Sequence, residues 1–123
     1  MRLLNNFGIG VDLQNINELA KVGKKKDFLE KIFSKRELEY CFKKKDPFSH
    51  LAARYAGKEA TIKALNSLGG FPAGLWNLKD IEIYNNPSGQ PQIKFFRPEF
   101  KKIRAKISLS HSGDVAVASV VVL

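Results

Sequence analysis

The sequence predicts an α+β fold, a mainly antiparallel sheet packed by one long helix and several short helices. Three observations lead there. Residues 48–68 form the longest stretch with helical spacing, framed by Asp46-Pro47 and Gly69-Gly70. Residues 78–122 carry short apolar runs parted by turn clusters, the pattern of strands. Shorter helical segments lie between the first apolar run and the long helix. The 123 residues suit one domain, spanning 1–123, with one core.

Residues 3–12 read as a strand, with Phe7, Ile9 and Val11 on one face and Gly8, Gly10 and Asp12 on the other. A basic helical stretch follows over residues 16–22, and helical spacing recurs over 27–33 and 35–43. Asp46-Pro47 is a helix start and Gly69-Gly70 a helix end. Residues 71–77, with Pro72 and Gly74, read as loop. Residues 78–84 and 92–96 form a hairpin across the turn cluster Asn85-Asn86-Pro87-Ser88-Gly89. Residues 98–104 read as a short basic helix. The last two strands, 107–111 and 115–122, flank Ser112-Gly113-Asp114. The final one, with Ala116 and Ala118 among valines, is apolar on both faces, which predicts a central, fully buried strand.

Composition narrows the class. Hydrophobic residues make up 44%, enough for a packed interior and too many for disorder. No apolar run is long enough to cross a bilayer, and Met1-Arg2 is followed by a short apolar stretch broken by Asn5 and Asn6, unlike a signal peptide. The expected compartment is the cytoplasm. The single cysteine, Cys41, forms no internal disulfide, and no matching His motif marks it as a nucleophile. Lys and Arg total 21 against 12 Asp and Glu, a net charge of +9. Such a surface attracts nucleic acid, an anionic membrane, a phosphorylated small molecule or an acidic protein, and charge does not choose among them.

The long helix contains an anomaly. At about 100° per residue, Phe48, Leu51, Ala52, Tyr55 and Ile62 share one stripe, and Glu59 falls in its middle. Burying a lone carboxylate costs several kcal/mol. The i+4 partner Lys63 offers about 0.3–0.5 kcal/mol as an exposed pair, too little to compensate. A divalent cation would suffice; alternatively, Glu59 reaches water past Tyr55 at a helix edge. Asp12 ends the first strand on the side that Gly8 and Gly10 keep clear, where it is either a hard-cation ligand or a cap for the following helix. Magnesium takes one or two carboxylates plus waters and phosphates, so Asp12 and Glu59 would be enough. Phosphate-binding candidates are Arg54, Lys58 and Lys63 around Glu59, the run Lys43-Lys44-Lys45, and His111 within Ser108-Leu109-Ser110-His111-Ser112. Each also has a plain reading as a solvated charge or a structural histidine. Gly89-Gln90-Pro91 by itself is a hairpin turn.

Together and in order, these pieces resemble the phosphopantetheinyl transferases. Gly8-Ile9-Gly10-Val11-Asp12 is similar to their N-terminal signature, and Phe33-Ser34-Lys35-Arg36-Glu37-Leu38 to the motif after their basic helix. The stretch Arg54 to Ala64 resembles their K-E-A-x-x-K-A helix, Gly89-Gln90-Pro91 their G-x-P turn, and residues 108–112 followed by Ala116 and Ala118 their closing strand pair. The likeness runs from about Gly8 to Val121, and the short length resembles the holo-acyl-carrier-protein synthase branch rather than the double-length one. The resemblance implies a magnesium-dependent transferase of fatty-acid and lipid biosynthesis. Asp12 and Glu59 would hold the metal, and Lys63 would stand near the reacting phosphate. Coenzyme A would meet Lys45, Arg54, Lys58, Ser110 and His111, with Gly89 and Pro91. Two departures stand out: Gln14 replaces a third acidic ligand of the double-length branch, and Glu18 stands where an arginine often meets the carrier protein.

The implied reaction moves the phosphopantetheine arm from coenzyme A to a carrier-protein serine, with adenosine 3′,5′-bisphosphate leaving. The metal neutralises charge developing on the pyrophosphate. The proton acceptor is Glu59, a metal-bound water or Lys63. An acidic acyl carrier protein is expected to dock near Lys21, Lys24, Lys25 and Lys26, and a homotrimer with a site at each subunit boundary is expected, covering the second face of residues 115–122. No nucleic-acid or membrane partner is expected. The competing reading is a basic nucleic-acid-binding α+β domain, supported by the charge and by Phe95 and Phe96; an inactive carrier-binding relative is a third.

Overall fold

The computed structural model describes residues 4–72, 74 and 76–123, and only the backbone of Lys26. Strand β1 (Gly8–Asn15) is followed by helices α1 (Ile16–Val22), α2 (Lys26–Ile32), α3 (Lys35–Phe42) and α4 (Pro47–Leu68). Strands β2 (Ile81–Asn85), β3 (Pro91–Phe95), β4 (Ala105–Ser112) and β5 (Val115–Val122) complete the described chain. The strands form two antiparallel sheets, one ordered β1-β5-β4 and one made of the β2-β3 hairpin. The α+β expectation holds, with two sheets rather than one.

Helix α4 organises the molecule. Pro47 opens it, as suits a residue without an N–H, and Gly69 closes it at φ +80. It lies against β1 and β5, and the contact is close because β1 presents glycine. A Cβ on Gly8 would overlap the Ala64 carbonyl oxygen, and one on Gly10 that of Ala60. The glycine face of β1 is therefore filled by helix backbone, not kept open. Ala56, Ala60 and Ala64 meet Ala118, Val120 and Val122 in one core cluster, which Phe71, Trp76, Phe95 and Phe100 floor with ring contacts of 5.2–5.6 Å. A second cluster joins Leu19, Leu29, Phe33 and Cys41 to Leu51 and Ala52. Burial pushes the Cys41 thiol up to about 11, so it remains a neutral thiol. Instead of one apolar stripe, α4 is buried around most of its circumference.

Several boundaries differ from expectation for physical reasons. The described part of the expected 3–12 strand is not extended before Phe7, because the Asn5 backbone and side chain both donate to the last carbonyls of α4. Instead β1 runs on to Asn15, pairing with the whole of β5 from Gly8↔Val122 to Asn15↔Val115. Asp12 is thus inside the strand. Residues 78–80 form a 3-10 turn capped by Asn77, so β2 starts at Ile81. The expected 98–104 helix shrinks to a 3-10 turn at Pro98–Phe100, with Phe100 anchored among the aromatics.

Strand β5 is central as expected but not fully buried. Ala116, Ala118, Val120 and Val122 face α4, while Val115 is 38% and Val121 39% exposed. On the same side β1 exposes Ile9 at 59%, Val11 at 58% and Leu13 at 65%. The outer face of the three-stranded sheet is thus apolar and exposed along β1 and at Val115 and Val121 of β5, and polar along β4, where Lys106, Ser108, Ser110 and Ser112 share it. Phe95 belongs to the core cluster and only Phe96 is exposed, which removes one of the two aromatics that favoured a nucleic-acid surface. Among the described residues no helix is long and apolar enough to cross a membrane.

Candidate active site

Side chains with chemical potential leave α4 in three directions. The first group lies at the free edge of β1. Because Gly8 and Gly10 let the strand settle onto the helix, Asp12 arrives beside Glu59. Lys63 Nζ donates to Asp12 Oδ1 at 2.9 Å and to the Val11 carbonyl at 3.1 Å. Glu59 is half-buried, and its carboxyl is held above the ordinary value, first by burial and then by the Asp12 charge, with Lys63 opposing. Tyr55, one turn earlier, is raised by burial and then by the charges of Glu59 and Asp12. Two carboxylates thus crowd one ammonium. Lys63 answers the strand rather than lying along the helix as a simple i+4 pair. Among the described residues no set of three or more His, Cys, Asp or Glu side chains could ligate a metal. Asp12 and Glu59 offer the hard oxygen donors of a small divalent cation, with other positions left for water and phosphate.

The second group surrounds a cavity of about 230 Å³ between the first half of α4, the β2-β3 turn and β4. Arg54, Gly89, Pro91, Ser110 and His111 all line it, so five positions singled out from sequence converge here. Arg54 is 3% exposed, stacks on the Tyr40 ring at 4.5 Å and donates to Asn85 Oδ1 at 2.6 Å and to the His50 carbonyl at 3.3 Å. Its Nε is buried without a partner. The β2-β3 turn is shaped by Gly89 at φ +84, whose carbonyl accepts from Asn85 Nδ2. His50, Ser49, Tyr40 and Asn85 complete the wall. Sequence reading missed these four. His50 carried a usable signal, standing one helical turn before Arg54; Asn85 was visible only as part of a turn.

The third group is interior and corrects an expectation. Lys58, expected to meet a ligand, is 0% exposed. Its ammonium sits 2.7 Å from Glu37 Oε1 and donates to the carbonyls of Ile32, Leu78 and Ile81 at 2.9, 3.0 and 2.7 Å. Glu37 in turn accepts from the Ser34 and Ile83 backbone N–H groups, the former closing a capping box on α3. Every ammonium hydrogen is engaged, so Lys58 fixes α4 to its neighbours and has nothing to offer a ligand. Lys45 is exposed on the turn before α4 and does not line the cavity.

The first two groups are not joined within one chain. Glu59 follows Arg54 by five residues, about 500° of helical turn, so the two leave α4 about 140° apart. Asp12 on β1 and His111 on β4 are separated by β5, about 10 Å across two strand spacings. Elsewhere, Lys21, Lys24 and Lys25 are exposed around the end of α1 and the turn to α2, while the Lys26 side chain lies outside the described residues. Gln14 and Glu18 flank Asn15, the N-cap of α1, whose side chain accepts from the Glu18 backbone N–H.

The profile of the 4′-phosphopantetheinyl transferase superfamily matches residues 8–120. A holo-[acyl-carrier-protein] synthase of Thermodesulfovibrio yellowstonii is 43% identical over 117 residues, covering 94% of this chain and 96% of its own. That of Syntrophus aciditrophicus is 39% identical over 122 residues, covering 93% of both chains. Among solved structures, the Helicobacter pylori holo-[acyl-carrier-protein] synthase in complex with coenzyme A superposes with a TM-score of 0.80 at 32% identity, covering 94% of this chain and 99% of its own. The coenzyme A complex of the synthase from Chronobacterium ammoniagenes gives a TM-score of 0.80 at 27% identity, covering 96% and 97%.

Proposed function

We propose that this chain, which belongs to the 4′-phosphopantetheinyl transferase superfamily and within it to the holo-[acyl-carrier-protein] synthases, moves the 4′-phosphopantetheine arm of coenzyme A onto a serine of an apo acyl carrier protein. Adenosine 3′,5′-bisphosphate is the leaving product. The observation that carries this is the pair Asp12 and Glu59, close enough across β1 and α4 to raise the Glu59 carboxyl, with the Lys63 ammonium bonded to Asp12.

Asp12 and Glu59 would hold magnesium, which supplies charge neutralisation for the pyrophosphate. Arg54, His111 and Ser110, with the Gly89–Pro91 turn, receive the coenzyme, Arg54 lending the pocket its positive charge. The carrier serine oxygen bonds to the phosphorus carrying the pantetheine arm while the bond to the adenosine bisphosphate breaks. Its proton passes to the Glu59 carboxylate. Lys63 keeps its hydrogen bond to Asp12 and lends positive charge to the phosphate.

The carrier protein docks on the basic rim of Lys21, Lys24 and Lys25. A shallow apolar recess beside it, lined by Gly23, Leu29, Leu38 and Phe42, suits a partner with an apolar contact inside an acidic surface. The assembly is a homotrimer. Its support is the uncovered face of Ile9, Val11, Leu13 and Val121, together with the separation of the Asp12 edge from the His111 edge in a single chain. A neighbouring copy would bring its coenzyme pocket to the carboxylate pair. The setting is fatty-acid synthesis in the cytoplasm.

Mass spectrometry of an apo carrier protein incubated with the chain, coenzyme A and magnesium tests the reaction. The expected result is one added arm, lost on chelation; an unmodified carrier at stoichiometric enzyme would defeat the proposal. Light scattering at micromolar concentration tests the assembly, and a monomeric mass with full specific activity would eliminate the shared site.

A further inference from the structure

The chain has two histidines, and both line the same cavity. The His50 and His111 rings meet edge to face, inclined at 61° with centroids 6.4 Å apart, His50 from α4 and His111 from β4. Tyr40 on α3 supports the His50 ring edge-on at 6.3 Å. Arg54, one turn along α4, donates to the His50 carbonyl and keeps its Nε unpaired. The pocket is therefore lined by one guanidinium and two imidazoles, with no carboxylate among its lining residues.

We infer that His50 is a further coenzyme-binding residue of this chain, meeting a phosphate in the cavity together with His111 and taking up a proton as the ligand enters. The inference rests on the reading of this cavity as the coenzyme A site and adds a residue and a proton linkage to it. The charged and titratable groups around His50 set the direction. Burial lowers it below its ordinary value first; Arg54, Lys44 and His111 lower it further, and only Asp46 opposes them. In the free protein at neutral pH the imidazole is therefore neutral. A phosphate in the cavity beside the two rings places negative charge against His50 and favours the imidazolium. Binding then raises the His50 pKa, and affinity for coenzyme A rises as pH falls between the bound and free values.

Two histidines give two ring signals, so the test is direct. Imidazole NMR is followed from pH 5 to pH 8 with and without coenzyme A, alongside calorimetry in buffers of different ionisation enthalpy. The His50 midpoint is expected to move upward in the complex, with net proton uptake. His50→Phe and His50→Gln are both expected to weaken coenzyme A binding about 3- to 10-fold at pH 6 and less at pH 8. The phosphate's own second ionisation, near pH ~6, is common to wild type and variants and cancels in the comparison. An unmoved His50 midpoint in a protein that binds coenzyme A would overturn the inference alone, as would unchanged pH dependence in both variants. Undiminished coenzyme A binding by Arg54→Ala would instead overturn the assignment of the cavity.

Discussion

Lys58 and Glu59 are adjacent on α4, yet one meets a complete set of partners and the other an incomplete one. Lys58 enters the interior, where Glu37 and three carbonyls surround its ammonium at 2.7–3.0 Å. Glu59 emerges at the edge of β1, where it and Asp12 share Lys63, which is already engaged by Asp12 and the Val11 carbonyl. Both are costly placements of charge, and they are resolved differently. In the first the chain satisfies itself, and the pair bolts α2, α3 and β2 to α4. In the second the one nearby ammonium is bonded to Asp12, and this imbalance is what the proposed cation and substrate would relieve. Burial of a charge therefore does not identify a site; incomplete satisfaction does.

Substitutions at each end sharpen this contrast. The largest stability effect belongs to the interior pair. Lys58→Ala leaves Glu37 buried without its ion partner and is expected to cost about 3–5 kcal/mol in denaturant unfolding; a variant as stable as wild type would show that the interior pair does not bolt the fold. Asp12→Ala is expected to reduce transfer at least ~100-fold, with the melting temperature little changed, because Asp12 is partly exposed and holds no core contact. Gly10→Ala comes next. Its Cβ overlaps the Ala60 carbonyl, so β1 must lift from α4, costing about 1–3 kcal/mol and moving Asp12 away from Glu59. Normal turnover in that variant would separate the site from the close strand–helix contact. Smallest is the effect expected at the proposed docking rim: reversing Lys24 and Lys25 to Glu should raise the KM for carrier protein several-fold and leave that for coenzyme A unchanged. Equal shifts in both would count against docking there.

Local signals made much of this legible in the sequence. Asp46-Pro47 and Gly69-Gly70 bracket α4 because a proline at the first turn and a glycine at positive φ are chemical requirements of helix ends. The run 115–122, apolar except for Ser119, marks the central strand. What was illegible depends on distant partners. The start of β1 is set by β5, a hundred residues away in sequence, and by the diversion of Asn5 to α4. The burial of Lys58 depends on Glu37 and on three carbonyls from other segments, none of which its own helix periodicity can reveal. In the same way the glycines of β1 were visible as small residues, but not the helix backbone that fills their space. Asp12, Glu59 and Lys63 meet as an i,i+4 helix pair approached by a strand, half of which was legible; His50 becomes interesting only once β4 carries His111 to it.

Glu59→Gln tests the central claim most directly, because it keeps shape and removes charge. Transfer of the arm to the carrier is measured by mass spectrometry at ordinary magnesium, and the melting temperature of the same protein is measured in the presence of a chelator. In the folded, metal-free chain the Glu59 carboxyl lies above its unfolded value, so the charged form opposes folding above that range and its removal relieves the fold. Solvent screening keeps the gain small, about 1–3 °C. The expected result is loss of transfer with an unchanged or slightly raised melting temperature. Near-normal turnover by Glu59→Gln would contradict the account, since neither a metal ligand nor a proton acceptor at that position survives the loss of its charge.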